Sequence, residues 1–329
     1  VNLKQVIQYL IVFIVGGFFL YFVFSGIAWS DLQQKLLAAN YYWITLGMLV
    51  GVLSHYIRAW RATMLYHPMG YPIAVKNSFY AVMIGYMVNY IIPRAGEVSR
   101  CAVLNKTDGM PVQKTLGTVI TERIVDLVIL ALLLVFVFLI NFELLFNYIQ
   151  SNLSNSNSTN AASNIKWFLL LMGILSIAFI YFFKNKLTRF PIFHKILQFV
   201  KGLGEGLMSI KNVRNPFLFI ALSISIWLCY ILMMYFCLFA IESTASLTWM
   251  NTLVVFAIGT IGVVIPAPAA GAGTYHFAVM QSLLLFGVSE GDGIAYATIV
   301  HGVQMVLLIL IGAICSIPVF LFSNKNKKT

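Results

Sequence analysis

Long apolar runs separated by short polar ones set the frame of this chain. They occupy Val6–Phe24, Tyr41–Tyr56, Ala74–Ile92, Thr115–Ile140, Trp167–Phe183, Phe217–Ala240, Leu253–Ile265, Thr274–Phe286 and Ala295–Phe322. A helix needs ~20 apolar residues to cross a bilayer. Most of these runs therefore read as membrane spans, and the pattern predicts an all-α polytopic helix bundle. Two places break the pattern. Ala74–Ile92 runs into Pro93-Arg94-Ala95-Gly96-Glu97-Val98-Ser99-Arg100, where a proline stops the helix and charges follow at once. Leu253–Ile265 runs into Pro266-Ala267-Pro268-Ala269-Ala270-Gly271-Ala272-Gly273, which carries no charge. Irregular backbone at membrane depth is tolerated where it is buried in protein or lines a wet cavity. Each break therefore predicts a re-entrant hairpin, two short helices that enter and leave the membrane on one side.

The polar segments give the order and orientation. Gln150–Asn164 is a serine and asparagine tract that reads as an exposed loop. Lys184–Arg214 is basic, with Leu187, Phe190, Phe193, Ile196, Leu197 and Val200 at near-helical spacing, the pattern of an interfacial helix against anionic lipid. The positive-inside rule places Arg58–Lys76, Lys184–Arg214 and Lys325–Lys328 in the cytoplasm. Asp31, the Asn/Ser tract, Glu242 and Glu290–Asp292 then face outside. Crossings between these landmarks balance only if both breaks are hairpins. The result is one membrane domain over residues 1–329 with two inverted repeats, about 1–145 and 165–322, joined by the loop at about 146–164. Each repeat holds three spanning helices and one hairpin. Ile91-Ile92-Pro93 and Val264-Ile265-Pro266 are weak echoes of each other, as are Thr118-Val119-Ile120 and Thr298-Ile299-Val300. Paired broken helices in inverted repeats mark transporters whose site lies near the midplane.

Composition narrows the class further. The chain is 60% apolar and 9% charged, with a net charge of +11. Its lysines and arginines gather in connecting segments, so the charge reflects membrane topology rather than nucleic-acid binding. Cys101, Cys229, Cys237 and Cys315 have neither metal-ligand nor disulfide spacing and read as small packing residues. No HExxH, GxSxG or P-loop is present, so neither a catalytic centre nor a cofactor is expected.

Charge at membrane depth is costly, and the residues that carry it are the candidates for function. Gly96 restarts a helix whose free N–H groups favour an anion. Arg94 and Arg100 add planar guanidinium forks suited to phosphate, with Glu97 as a partner for one of them. Thr118, Glu122 and Asp126 share a face of one helix at i, i+4 and i+8, with Arg123 beside Glu122. They must face inward. They are read either as substrate contacts and proton carriers or as ion-pair partners of the hairpin arginines, with Asp126 paired and Glu122 titrating. At the second break Gly271, Gly273, Thr274 and His276 offer backbone donors and a ring nitrogen.

The ordered set of Pro93-Arg94-Ala95-Gly96-Glu97 with Arg100, then Glu122-Arg123 and Asp126, then Pro266 to Gly273, resembles the transmembrane region of the lysylphosphatidylglycerol synthase family over nearly the whole chain. The resemblance implies an integral-membrane, flippase-like domain that moves a lipid headgroup. The family's bifunctional members add a soluble aminoacyl-transfer domain, and no stretch here is suited to form one. His276 stands where the resemblance leads one to expect an acidic residue. The expectation is thus a lipid flippase of the cytoplasmic membrane, both termini inside, acting on a membrane phospholipid or a lipid-linked glycan. The alternative is an accessory protein that binds lipid, or a partner lipid- or glycan-modifying enzyme, without transport.

Overall fold

The computed structural model describes residues 29–92, 95–143, 213–264 and 271–325, with Gly17 and Tyr21. Expectations for the spans at Val6–Phe24 and Trp167–Phe183, the Asn/Ser tract, the basic stretch before Val213, and Pro93, Arg94 and Pro266–Ala270 lie essentially outside these residues. The described residues form helices and no strands. In chain order these are α1 (Trp29–Ala38), α2 (Tyr41–Tyr66), α3 (Val75–Ile91), α4 (Gly96–Asp108), α5 (Val112–Ile140), α6 (Pro216–Leu238), α7 (Trp249–Val264), α8 (Thr274–Leu284) and α9 (Glu290–Lys325). By length and composition α5, α6 and Glu290–Phe320 of α9 can cross a membrane, and α1 with α2 forms a fourth candidate bent by 80°. This is a membrane protein with several apolar helices.

Local chemistry starts and stops these helices. The Asn40 side chain accepts the Tyr42 N–H at 3.1 Å and begins α2. Asn215 caps α6 by accepting from Leu218 N at 3.1 Å, with Pro216 in the first turn where its missing N–H costs nothing. Gly109, at φ 69°, closes α4 with its N–H on the Asn105 carbonyl. At the two sequence breaks the helices are short. Helix α3 has 17 residues and α4 has 13, while α7 has 16 and α8 has 11. The members of each pair pack against one another.

Helix α2 differs from the sequence expectation. Its apolar run was expected to end at Tyr56, with Arg58 and Arg61 in a cytoplasmic connection. Instead the helix continues to Tyr66 and both arginines are buried. The helix is inside out. Leu49, Leu53, Tyr56 and Trp60 form its exposed apolar stripe, while His55, Arg58, Ala62 and Tyr66 line the buried face. Arginines end a span only when they have no partner inside, and here they have several.

The chain divides into two compact units, Val1–Arg123 with Asn212–Thr329, and Ile124–Lys211. In the first, α2 packs along α6, α3 along α9, and α8 along both α7 and α9. A Cβ on Gly47 would lie 2.9 Å from Cys237 Sγ and 3.0 Å from the Met233 carbonyl, so the α2–α6 approach depends on small residues. One core cluster joins Tyr66, Met83, Leu104 and Met110 to Leu308 and Cys315 of α9. All four cysteines are buried and free, in the packing role expected of them. Of the second unit the described part is the later half of α5 and its end, where Phe138 and Phe142 meet edge-on at 5.2 Å.

Candidate functional site

The site is built where α3 and α4 meet. Gly96 opens α4 against Gly85 of α3. A Cβ on Gly85 would fall 2.9 Å from the Gly96 carbonyl, and one on Gly96 would overlap the Gly85 carbonyl and the Asn89 amide. Nothing larger than glycine fits either position without a shift. The Asn89 side chain accepts the Gly96 N–H at 2.7 Å. This corrects the expectation that Gly96 N–H is offered to a ligand: the break is closed by its own asparagine.

This close approach places Arg100, one turn into α4, beside Glu122 of α5. Arg100 donates from Nη2 to Glu122 Oε1 at 2.7 Å and from Nη1 to Oε2 at 3.2 Å, the two-point geometry of guanidinium with carboxylate. Its Nη2 also donates to the Tyr66 hydroxyl at 2.6 Å. Arg61 stands 3.6 Å from Glu122 Oε2, donates to Ser223 Oγ of α6 at 3.1 Å, and lies 5.7 Å over the Phe219 ring. Glu122 is 2% exposed, Arg61 0% and Arg100 8%, so these charges lie wholly inside protein. Glu122 is accordingly an ion-paired carboxylate, contrary to its expected role as the titrating residue. Glu97 pairs with Arg123 at 3.2 Å rather than with Arg100, and both side chains are about half exposed.

Arg58, Asn89, Gly96, Glu97, Arg100, Glu122 and Arg123, with Tyr86, line a common cavity of ≈ 30 Å³. That volume holds only one or two waters. Arg100 Nε is buried without a protein hydrogen-bond partner.

The other expected residues are placed as follows. Thr118, Glu122 and Asp126 are all buried, so their shared face points inward. The Thr118 hydroxyl is bound to the Thr115 carbonyl of its own helix at 2.7 Å. Asp126 falls in the second compact unit. At the second break Gly271 and Gly273 adopt φ of 97° and 89°, values that L side chains rarely take. Gly273 N–H points to His276 Nδ1 at 3.4 Å, and Thr274 Oγ1 donates to the Gly271 carbonyl at 3.1 Å. Both groups thus serve the turn itself. The His276 ring lies 5.1 Å from that of His301 on α9, beside Tyr275.

Sequence reasoning missed Arg58, Arg61, Tyr66, Asn89 and Tyr86. The usable signal was phase: the arginines continue the helical face of His55 and Tyr66, opposite the Leu49–Leu53–Tyr56–Trp60 stripe.

The family described as lysylphosphatidylglycerol synthase TM region matches residues 5–312. A UPF0104 membrane protein of Methanocaldococcus jannaschii is 21% identical over 339 aligned positions, covering 96% of each chain. No solved structure matches.

Proposed function

Since the chain belongs to the lysylphosphatidylglycerol synthase transmembrane-region family, we propose that it carries a phosphate-bearing lipid, or a lipid-linked headgroup, across the cytoplasmic membrane without covalent chemistry. The observation that carries this reading is the Arg100–Glu122–Arg61 cluster beside a cavity, built at a helix break within apolar surroundings. Buried charge inside a membrane protein marks a pathway or a site. Arg100 has the fork that phosphate requires, and its buried Nε–H, without a protein partner, is a third donor. Glu122 holds Arg100 in the absence of substrate, and an incoming phosphate competes for the same two-point contact. Gly271, Gly273, Thr274 and His276 of the second break complete the path.

In this reading α3–α4 and α7–α8 are re-entrant hairpins of two inverted repeats, each too short to cross ~30 Å of hydrocarbon singly. Both termini are cytoplasmic. With Arg58 and Arg61 assigned to the site, orientation rests on Lys184–Arg214 and the C-terminal lysines.

Liposomes reconstituted with the purified chain test the proposal. Fluorescent phospholipid should equilibrate between leaflets with the wild type and not with Arg100→Ala. Lipid that binds in an Arg100-dependent way but never changes leaflet would assign the protein to the accessory class instead.

A further inference from the structure

Helices α4 and α5 each bring one acid and one base to the wall of the charged cavity. Helix α4 carries Glu97 and, one turn on, Arg100; α5 carries Glu122 and Arg123 side by side. The pairing is crossed. Arg100 joins Glu122 at 2.7 Å, on side chains 9% and 2% exposed. Arg123 Nε stands 3.2 Å from Glu97 Oε1, on side chains 51% and 41% exposed. All four residues line the same cavity. The wall between α4 and α5 therefore runs from a buried ion pair to one that reaches the molecular surface.

The two pairs differ in how easily they part. Breaking the buried one leaves an uncompensated charge inside the protein. An exposed pair contributes little to stability and is screened by salt, so it opens readily. The backbone beside it does not move as freely, since Gly96 is packed on Gly85 and its N–H is held by Asn89. The movable part of this wall is the two long side chains. While they are joined, the cavity holds only one or two waters.

We propose that Glu97 and Arg123 are the gate of the charged cavity, opened when the phosphate of an anionic lipid headgroup displaces Glu97 from Arg123. The proposal rests on the phosphate-site reading above and adds the entry step to it. A phosphate oxygen takes the place of Glu97 Oε1 beside Arg123 Nε. One charge-assisted contact replaces another, and the guanidinium is never left without an anion. Arg100 is the next arginine on this wall, so the headgroup passes from an exposed cation to a buried one.

The test places a thiol in the cavity wall. Val119 is buried and lines the cavity. In the full chain carrying Val119→Cys, purified in detergent, alkylation by a small thiol reagent is read at position 119 by peptide mass spectrometry, which separates it from the native cysteines. Glu97→Gln and Arg123→Gln part the gate without altering Arg100 or Glu122, and thermal unfolding checks that both fold. Each should speed alkylation about two- to fivefold, the factor that an exposed ion pair supplies. The reversed pair, Glu97→Arg/Arg123→Glu, should restore the slow rate. In liposomes the two single variants should diverge. Exchange of phosphatidylglycerol between leaflets should rise with Glu97→Gln, which leaves Arg123 open to phosphate, and fall with Arg123→Gln, which removes it. Excess inorganic phosphate should not change the wild-type rate. Unchanged alkylation in both variants overturns the gate. Faster alkylation with equal exchange in the two overturns phosphate capture at Arg123. Slowing by inorganic phosphate in the wild type but not in Arg123→Gln overturns the lipid as the ligand of the gate. Faster alkylation in both variants, with no lipid exchange even in the wild type, supports the gate and removes the transport reading instead.

Discussion

Glu122 is shared by two arginines from different helices, and the consequences of removing either side differ. Arg100→Ala leaves a buried carboxylate with Arg61 at 3.6 Å as its remaining close cation. Breaking a buried pair in this way costs ~3–5 kcal/mol, and the surviving Arg61 contact places the expected loss at the lower end. The unfolding midpoint in detergent should fall clearly for Arg100→Ala and should not recover in Arg100→Ala/Glu122→Gln, because the buried Arg61 then loses its carboxylate. Arg100→Lys should fold well and transport slowly, because an ammonium cannot span both carboxylate or phosphate oxygens. The half-exposed Glu97–Arg123 pair behaves otherwise: Glu97→Ala should change stability by no more than ~1 kcal/mol. At this scale the sequence was informative about which residue types mattered and less so about their partners. Arg100, Glu122 and the inward face of α5 followed from the cost of charge in an apolar helix. Arg58 and Arg61 did not, because a charge at the end of an apolar run looks the same whether it reaches water or a buried carboxylate on another helix.

Between elements, the first hairpin depends on backbone contact at Gly85 and Gly96. Gly96→Ala puts a methyl group onto the Gly85 carbonyl and the Asn89 amide, whereas a Cβ at Gly117 of α5 meets nothing within 4 Å. Gly96→Ala should therefore lower the unfolding midpoint and separate Arg100 from Glu122. Gly117→Ala should be neutral or stabilising by up to ~1 kcal/mol, through helix propensity alone. If the two variants lose stability equally, the close approach is not what holds the hairpin. Helix breaks were legible because proline and glycine act locally. The bounds of α3, α7 and α8 agree with the apolar runs to within a few residues. The extension of α2 to Tyr66 was hidden because tertiary partners, not propensity, keep its last turns inside.

For the molecule as a whole, charge bias and the two hairpins fix the proposed topology. A cysteine at Asn155 should react with an impermeant thiol reagent from outside and one at Lys328 from the cytoplasm. The native cysteines, all buried, give little background. Reaction of the Asn155 position from the cytoplasmic side alone would remove the inverted-repeat arrangement, which rests on charge counting and paired breaks rather than on any local signal. The most direct test of the central claim is lipid exchange between leaflets of sealed liposomes, measured with a headgroup-labelled anionic phospholipid and a membrane-impermeant quencher. Wild-type protein should make the inner-leaflet pool accessible, and Arg100→Lys, folded but without the guanidinium fork, should do so several-fold more slowly. Equal rates with both proteins, or no exchange with the wild type, would contradict the account.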